Sequence, residues 1–182
     1  LLNTSRQGAG LSNATRGLHA GGYGALDTIA YITIATLGNA IDFGDLKTSV
    51  RLGTGNGSST RGIVSGGFPS TDVIQYTTIS STGNTFDFGS ISYGASYGLM
   101  SAGNSTRNLI MGGATPSGDV TTIDFITFST LGNSSFFGDL QEKTRYGKAV
   151  SSPTRLVVGG DSLNGLEYVI LVFVTISTLG DA

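Results

Sequence analysis

Tyr31-Ile32-Thr33-Ile34-Ala35-Thr36-Leu37-Gly38-Asn39-Ala40-Ile41-Asp42-Phe43-Gly44-Asp45-Leu46 carries the pattern that decides the fold. Its opening tetrad returns as Tyr76-Thr77-Thr78-Ile79, Phe125-Ile126-Thr127-Phe128 and Phe173-Val174-Thr175-Ile176. In every copy a turn glycine (Gly38, Gly83, Gly132, Gly180) stands 7 residues after the leading aromatic. In the first three copies a phenylalanine (Phe43, Phe88, Phe137) follows that aromatic by 12 residues. Upstream of each lies a glycine pair, Gly21-Gly22, Gly66-Gly67, Gly112-Gly113 and Gly159-Gly160, spaced by 45, 46 and 47 residues. A period of that size with several short strands per unit predicts the blades of a β-propeller.

Within the second unit, Gly62 to Ser65 reads as a short apolar strand ended by Gly66-Gly67. Residues without a Cβ let the chain turn there and let a neighbouring backbone approach. Val73 to Ser80 is a long strand rich in β-branched and aromatic residues, and Thr85 to Phe88 a third. Ile91 through Ala102 is expected to carry the fourth. The frame of strands is constant while loop lengths vary, as expected when only the frame touches neighbouring units. The units run at about 12–57, 58–104, 105–151 and 152–182, with 1–11 as the last strand of a preceding or closing blade. Leu1 aligns with Leu46 and Leu140, and Gly180-Asp181-Ala182 with Gly38-Asn39-Ala40. The window is thus short of a segment equivalent to Ile41 to Asp45. Either a four-bladed ring lacks one strand, which a neighbouring molecule could donate by strand addition, or the chain is a window on a longer array. An open blade edge invites self-association.

This layout resembles the kelch repeat, with its Arg-x-Gly entry and short strand ending in Gly-Gly. Arg6-x-Gly8, Arg51-x-Gly53 and Arg145-x-Gly147 match the entry, while Tyr97-Gly98 replaces it in one unit. Phe43, Phe88 and Phe137 stand where the kelch Trp would be; the chain contains no Trp. The stretch Tyr31 to Leu46 looks more specifically like repeats in virion structural and tail-fibre-like proteins of tailed phages, cyanophages included. The resemblance implies a structural or adhesive module that is extracellular or virion-associated.

Composition narrows the alternatives. The chain has 182 residues, 12% charged, with 29 glycines and a net charge of −2. No basic block offers the phosphate-neutralising surface that nucleic acid requires. No apolar run reaches the roughly 18 residues of a membrane helix; the longest, Tyr168 to Val174, is of strand length. Asn3, Thr4, Ser5 and Arg6 interrupt any signal-peptide pattern at the start. Without cysteine there is no disulfide, thiolate metal site or thiol nucleophile. His19 is the one histidine, at the position held by Val64, Ile110 and Val157 in the other units, and reads as structural. The acidic residues Asp42, Asp87, Asp45 and Asp139 recur with the repeat and suit turns rather than a glycosidase pair. The sequence therefore implies no enzyme, cofactor or metal.

Arg16, Arg61, Arg107 and Arg155 recur at the start of each apolar strand. They form either a ring of guanidiniums for an anionic ligand or donors to a neighbouring blade's carbonyl or carboxylate. Gly22, Gly67, Gly113 and Gly160, with Phe43, Phe88 and Phe137, are repeat positions of architectural character. Asn3, Asn13, Asn56, Asn104 and Asn133 lie in Asn-x-Ser/Thr triplets that serve as turn formers, or as glycan acceptors in a eukaryotic secretory protein. The aromatics Tyr23, Phe68, Tyr93, Tyr97 and Tyr146 break the repeat and are the candidate binding residues, suited to stacking on sugar rings or anchoring a protein. They are equally suited to packing between blades. Three functions remain open: a tail-fibre or appendage module presenting loops to a glycan or surface protein; a self-assembling bacterial filament or surface protein; and a kelch-type interaction adaptor. Expected partners are further copies of the chain, other virion proteins or a surface glycan.

Overall fold

The computed structural model describes residues 6–160, 162–163, 166–167 and 171–181. Leu1, Asn3, Asp161, the start of the run at Tyr168, and Ala182 lie outside them. The described chain is all-β, without a helix. Four small antiparallel sheets are arranged as a four-bladed β-propeller whose sheets do not close into a ring. The first sheet is β1 (Ala9–Ser12), β2 (Arg16–Ala20), β3 (Thr28–Thr33) and β4 (Ile41–Asp45). The second is β5 (Thr54–Gly57), β6 (Arg61–Ser65), β7 (Val73–Thr78) and β8 (Phe86–Ser90).

In the third, β9 (Met100–Gly103) and β10 (Arg107–Met111) precede a two-stranded hairpin, β11 (Ala114–Thr115) and β12 (Gly118–Asp119). Strands β13 (Thr122–Thr127) and β14 (Ser135–Asp139) then complete the sheet. The fourth has β15 (Lys148–Ser151), β16 (Arg155–Gly159) and, after the hairpin β17 (Ser162–Leu163) and β18 (Leu166–Glu167), β19 (Leu171–Thr175).

The allocation of strands corrects the sequence reading. The strand sought at the end of the second unit, within Ile91 to Ala102, is β9, which opens the third sheet by pairing with β10. Likewise β1, most of which falls in the segment assigned to a preceding or closing blade, pairs with β2. The reason is a tight, side-chain-capped hairpin. Asn13 Oδ1 accepts the Thr15 and Arg16 N–H groups at 2.9 and 2.8 Å, and Asn104 Oδ1 accepts those of Thr106 and Arg107, both at 2.9 Å. Ser58 and Ser152 do the same in the other two sheets. Such Asx and Ser turns fold adjacent strands onto each other. The Asn-x-Ser/Thr triplets at Asn13 and Asn104 are these turns.

Three core clusters lie between successive sheets. Each is anchored by a bulged phenylalanine. Register slips between Ile29 and Ala30, Ile74 and Gln75, and Ile123 and Asp124 leave Phe43, Phe88 and Phe137 as the extra residues. All three rings are buried at 1–3% exposure, edge-on to Tyr31, Tyr76 and Phe125. A bulge bends and twists its strand, here aiming the ring into the seam. Gly89 follows the bulge at φ +154°, and a Cβ there would lie 2.2 Å from the Gly132 carbonyl of the next sheet, so only glycine permits the approach. Across each seam the turn glycine donates to the bulged residue's carbonyl: Gly83 to Phe43 (2.7 Å), Gly132 to Phe88 (2.8 Å) and Gly180 to Phe137 (3.0 Å).

Three further devices repeat from sheet to sheet. The recurring arginines donate across the seam to a main-chain carbonyl: Arg16 to Ile79 (2.8 Å), Arg61 to Phe128 (2.5 Å) and Arg107 to Ile176 (3.1 Å). Each guanidinium also lies over its own sheet's aromatic, Tyr31, Tyr76 or Phe125, at 4.8–4.9 Å. Next, the second glycine of the pair donates to the segment leading into the following sheet: Gly22 to Val50, Gly67 to Ser96 and Gly113 to Thr144. Finally, the residue inside each entry motif, Gln7, Leu52, Gly98 or Tyr146, is left-handed with φ between +58° and +69°. These residues form a main-chain ladder around the axis: Leu52 N–H to Gln7 O (2.8 Å), Gly98 N–H to Leu52 O (2.9 Å) and Tyr146 N–H to Gly98 O (2.8 Å).

Candidate ligand-facing rim

The ladder places the entry side chains on one rim. Arg6 lies over the Tyr23 ring at 4.2 Å, and Arg51 lies over both Tyr23 (5.1 Å) and Phe68 (4.6 Å). Phe68 meets Tyr97 edge-on at 5.7 Å, and Tyr97 meets Tyr146 at 6.4 Å. Arg145 caps the series, 5.3 Å from the Tyr146 ring and 3.5 Å from Asp119. Four of the five candidate aromatics, spread over more than 120 residues of chain, therefore form one band with three arginines. Tyr23, Phe68 and Tyr146 are exposed and Tyr97 half-buried.

Local sequence explains the band. Tyr23 and Phe68 directly follow a glycine pair, so they emerge where the chain reverses after β2 and β6. Arg6, Arg51, Tyr97 and Arg145 precede the left-handed residue that leads into each innermost strand, and Arg51 bridges Phe68 in antiparallel fashion. Burial raises the pKa of the Tyr146 hydroxyl, and the neighbouring Tyr97 adds to the rise, so it stays a neutral hydrogen-bonding group.

Tyr93 is placed elsewhere. Its hydroxyl donates to the Gly112 carbonyl at 3.1 Å and its ring packs on the core between the second and third sheets. Burial, with the Asp124 carboxylate second, pushes its pKa well above the usual tyrosine range. Arg16, Arg61 and Arg107 are occupied as seam donors, and Arg155 lies over Phe173 at 5.2 Å.

The rim borders a cleft of about 190 Å³ on the axis, lined by the inner strands β1, β5, β9 and β15. Its walls are polar backbone and small side chains, including Gly8, Gly53, Gly147 and the Thr54–Ser101 hydroxyl pair at 2.8 Å. Lys148 supplies the one charged side chain of this lining among the described residues. Cations held over aromatic faces beside hydroxyls and open main chain suit a hydroxyl-rich ligand carrying negative charge. Among the described residues no three His, Cys, Asp or Glu side chains come together as metal ligands. His19 lies on the outer face of the first sheet, with its ring against Gly8. The sequence exposed the aromatics as departures from the repeat, but not their arginine partners, which belong to it. The chain matches no protein-family model and is not significantly similar to any curated protein.

Proposed function

We propose that this chain is a non-enzymatic structural and adhesive module, kelch-like in its repeat, that serves in a phage tail fibre or comparable extracellular appendage. The rim Arg6–Tyr23–Arg51–Phe68–Tyr97–Tyr146–Arg145 is its recognition surface, and an acidic surface glycan is its ligand class. The observation that carries the reading is the continuity of this band across all four sheets. Rings of sugar stack on exposed aromatic faces, and guanidiniums pair with carboxylates or sulfates in fork geometry.

The test is binding of the 182-residue chain to an array of acidic and neutral oligosaccharides. Retention on acidic members is expected, with a loss of at least about tenfold in Arg51→Ala, because Arg51 bridges two of the rings. Failure to bind any glycan, or an Arg51→Ala chain that binds as the parent does, would overturn the assignment.

A further inference from the structure

Among the described residues two sheet faces have no partner, one on the fourth sheet and one on the first. Inside the chain, the same kind of seam is built three times. At its centre a side chain of an innermost strand meets a position on the second strand of the next sheet. At the first seam these are Leu11 and Gly62; a Cβ on Gly62 would lie 2.1 Å from Leu11 Cδ1. At the second they are Asn56 and Asn108, joined by an amide–amide hydrogen bond of 2.9 Å. At the third they are Ala102 and Leu156, both buried in one cluster. The pairing is large with none, amide with amide, and small with large. Two seams match a large side chain to a small or absent one and the third matches two amides, so each pair fills its seam as close packing requires.

The unpaired members of the series are Val150 on the fourth sheet and Gly17 on the first. Val150 is 68% exposed, and with Leu171 at 75% and Phe173 at 60% it forms an uncovered apolar face. These are the positions that Leu11, Ile29 and Tyr31 occupy in the first seam. The first sheet's outer face holds an apolar pocket of about 430 Å³ lined by Gly17, His19, Ala30, Ile32 and Ala40. A Cβ on Gly17 would meet only Ile32, at 3.6 Å, so the notch that Leu11 fills on Gly62 stands open here. Val150 and Gly17 continue the size rule.

The hydrogen-bonding ends match in the same sense. Arg155 already stands over Phe173 at 5.2 Å, as its three counterparts stand over theirs, and among the described residues it has no carbonyl acceptor. Ile34 on the first sheet occupies the place of Ile79, Phe128 and Ile176, whose carbonyls accept the other three arginines. The left-handed ladder ends with the Tyr146 carbonyl on one side and the Gln7 N–H on the other.

We infer that the fourth sheet's face docks on the first sheet's face of a second copy of this chain. Val150 enters the Gly17 notch, Phe173 and Leu171 cover Ile32 and Ile34, and Arg155 donates to the partner copy's Ile34 carbonyl. The contact is heterologous, so copies close into a ring of whole chains or extend into a filament. Continuity with three seams of the same design argues for a copy rather than an unrelated protein.

The test is light scattering of the full chain with variants on the two free faces, at positions that point away from the internal seams; circular dichroism confirms folding. The parent is expected at no less than twice 18.6 kDa. Val150→Arg and Gly17→Leu are each expected at the single-chain mass. Mixed in equal amounts they are expected to form dimers and nothing larger, because each blocks the opposite face. The double variant Gly17→Leu with Val150→Ala, which copies the Ala102–Leu156 pair, is expected to regain the parent's mass. A monomeric parent, an assembly indifferent to both single variants, or a mixture that stays monomeric would each overturn the inference.

Discussion

Replacing Leu11 by Ala and Gly62 by Leu, singly and together, tests whether the seams obey a rule of size complementarity. Leu11 is buried, and its Cδ1 occupies the space where a Gly62 Cβ would stand. Leu11→Ala removes three buried carbons and leaves a cavity facing a residue with no side chain to fill it. A cost of about 2.5 kcal/mol is expected, toward the low end for buried leucine truncation. Gly62→Leu inserts four carbons against Leu11 and against Ile79, whose Cγ1 would lie 3.3 Å from the new Cβ. Overpacking of that kind costs about 1–3 kcal/mol.

If the sites were independent, the double variant would lose about 4 kcal/mol, the sum of the two. The third seam shows that a small residue facing leucine packs fully, since Ala102 and Leu156 are both buried. The double variant is therefore expected within about 1 kcal/mol of the parent, a favourable coupling of about 3 kcal/mol, at the upper end for contacting residues. The assay is reversible urea unfolding followed by far-ultraviolet circular dichroism, comparing midpoints at constant slope. Additivity within about 0.5 kcal/mol would refute the rule, and with it the argument that Val150 and Gly17 are partners.

Other expected outcomes follow from the repeated devices. Gln7 is exposed with φ +65°, so Gln7→Gly should raise stability by up to about 1 kcal/mol in urea unfolding, since a left-handed conformation strains any residue with a Cβ. Gly98→Ala should lower it, because φ is +69° there and the new Cβ would lie 2.8 Å from the Tyr146 ring. Arg61→Ala should cost about 2 kcal/mol by removing a charge-assisted bond to the Phe128 carbonyl, whereas Arg155→Ala should leave the unfolding of the single chain unchanged. Equal losses for the two would contradict the cross-seam role. Burial lowers the His19 pKa below its ordinary 6.5, so the unfolded chain binds more protons between the two values and stability falls as pH drops below about 6.5. His19→Gln should flatten the stability difference between about pH 5 and pH 7, and an unaltered pH profile would count against this.

Part of the molecule is written locally and part is not. The long strands Val73–Thr78 and Thr122–Thr127, the turn glycines and the buried Phe43, Phe88 and Phe137 follow from alternation and backbone preference within about fifteen residues. The assignment of Met100–Gly103 to the following sheet was not read from the sequence. It depends on the Asn104 turn pairing β9 with β10 more tightly than the irregular chain after Ile91 holds it to β8. The recurrence of Arg16, Arg61 and Arg107 was plain in the sequence. Two roles fitted it, and the distance to a carbonyl in the next sheet separated them.

The sequence by itself determined the repeat, its strands and the all-β class, because each rests on side chains and dihedrals of near neighbours. Only the tertiary structure brought Tyr23, Phe68, Tyr97 and Tyr146 into one band with Arg6, Arg51 and Arg145. It alone paired Leu11 with Gly62, Asn56 with Asn108 and Ala102 with Leu156. Those residues lie some 50 positions apart, and no pair repeats from seam to seam. What they share is the volume they jointly fill, and volume is a property of the packed interface rather than of either strand.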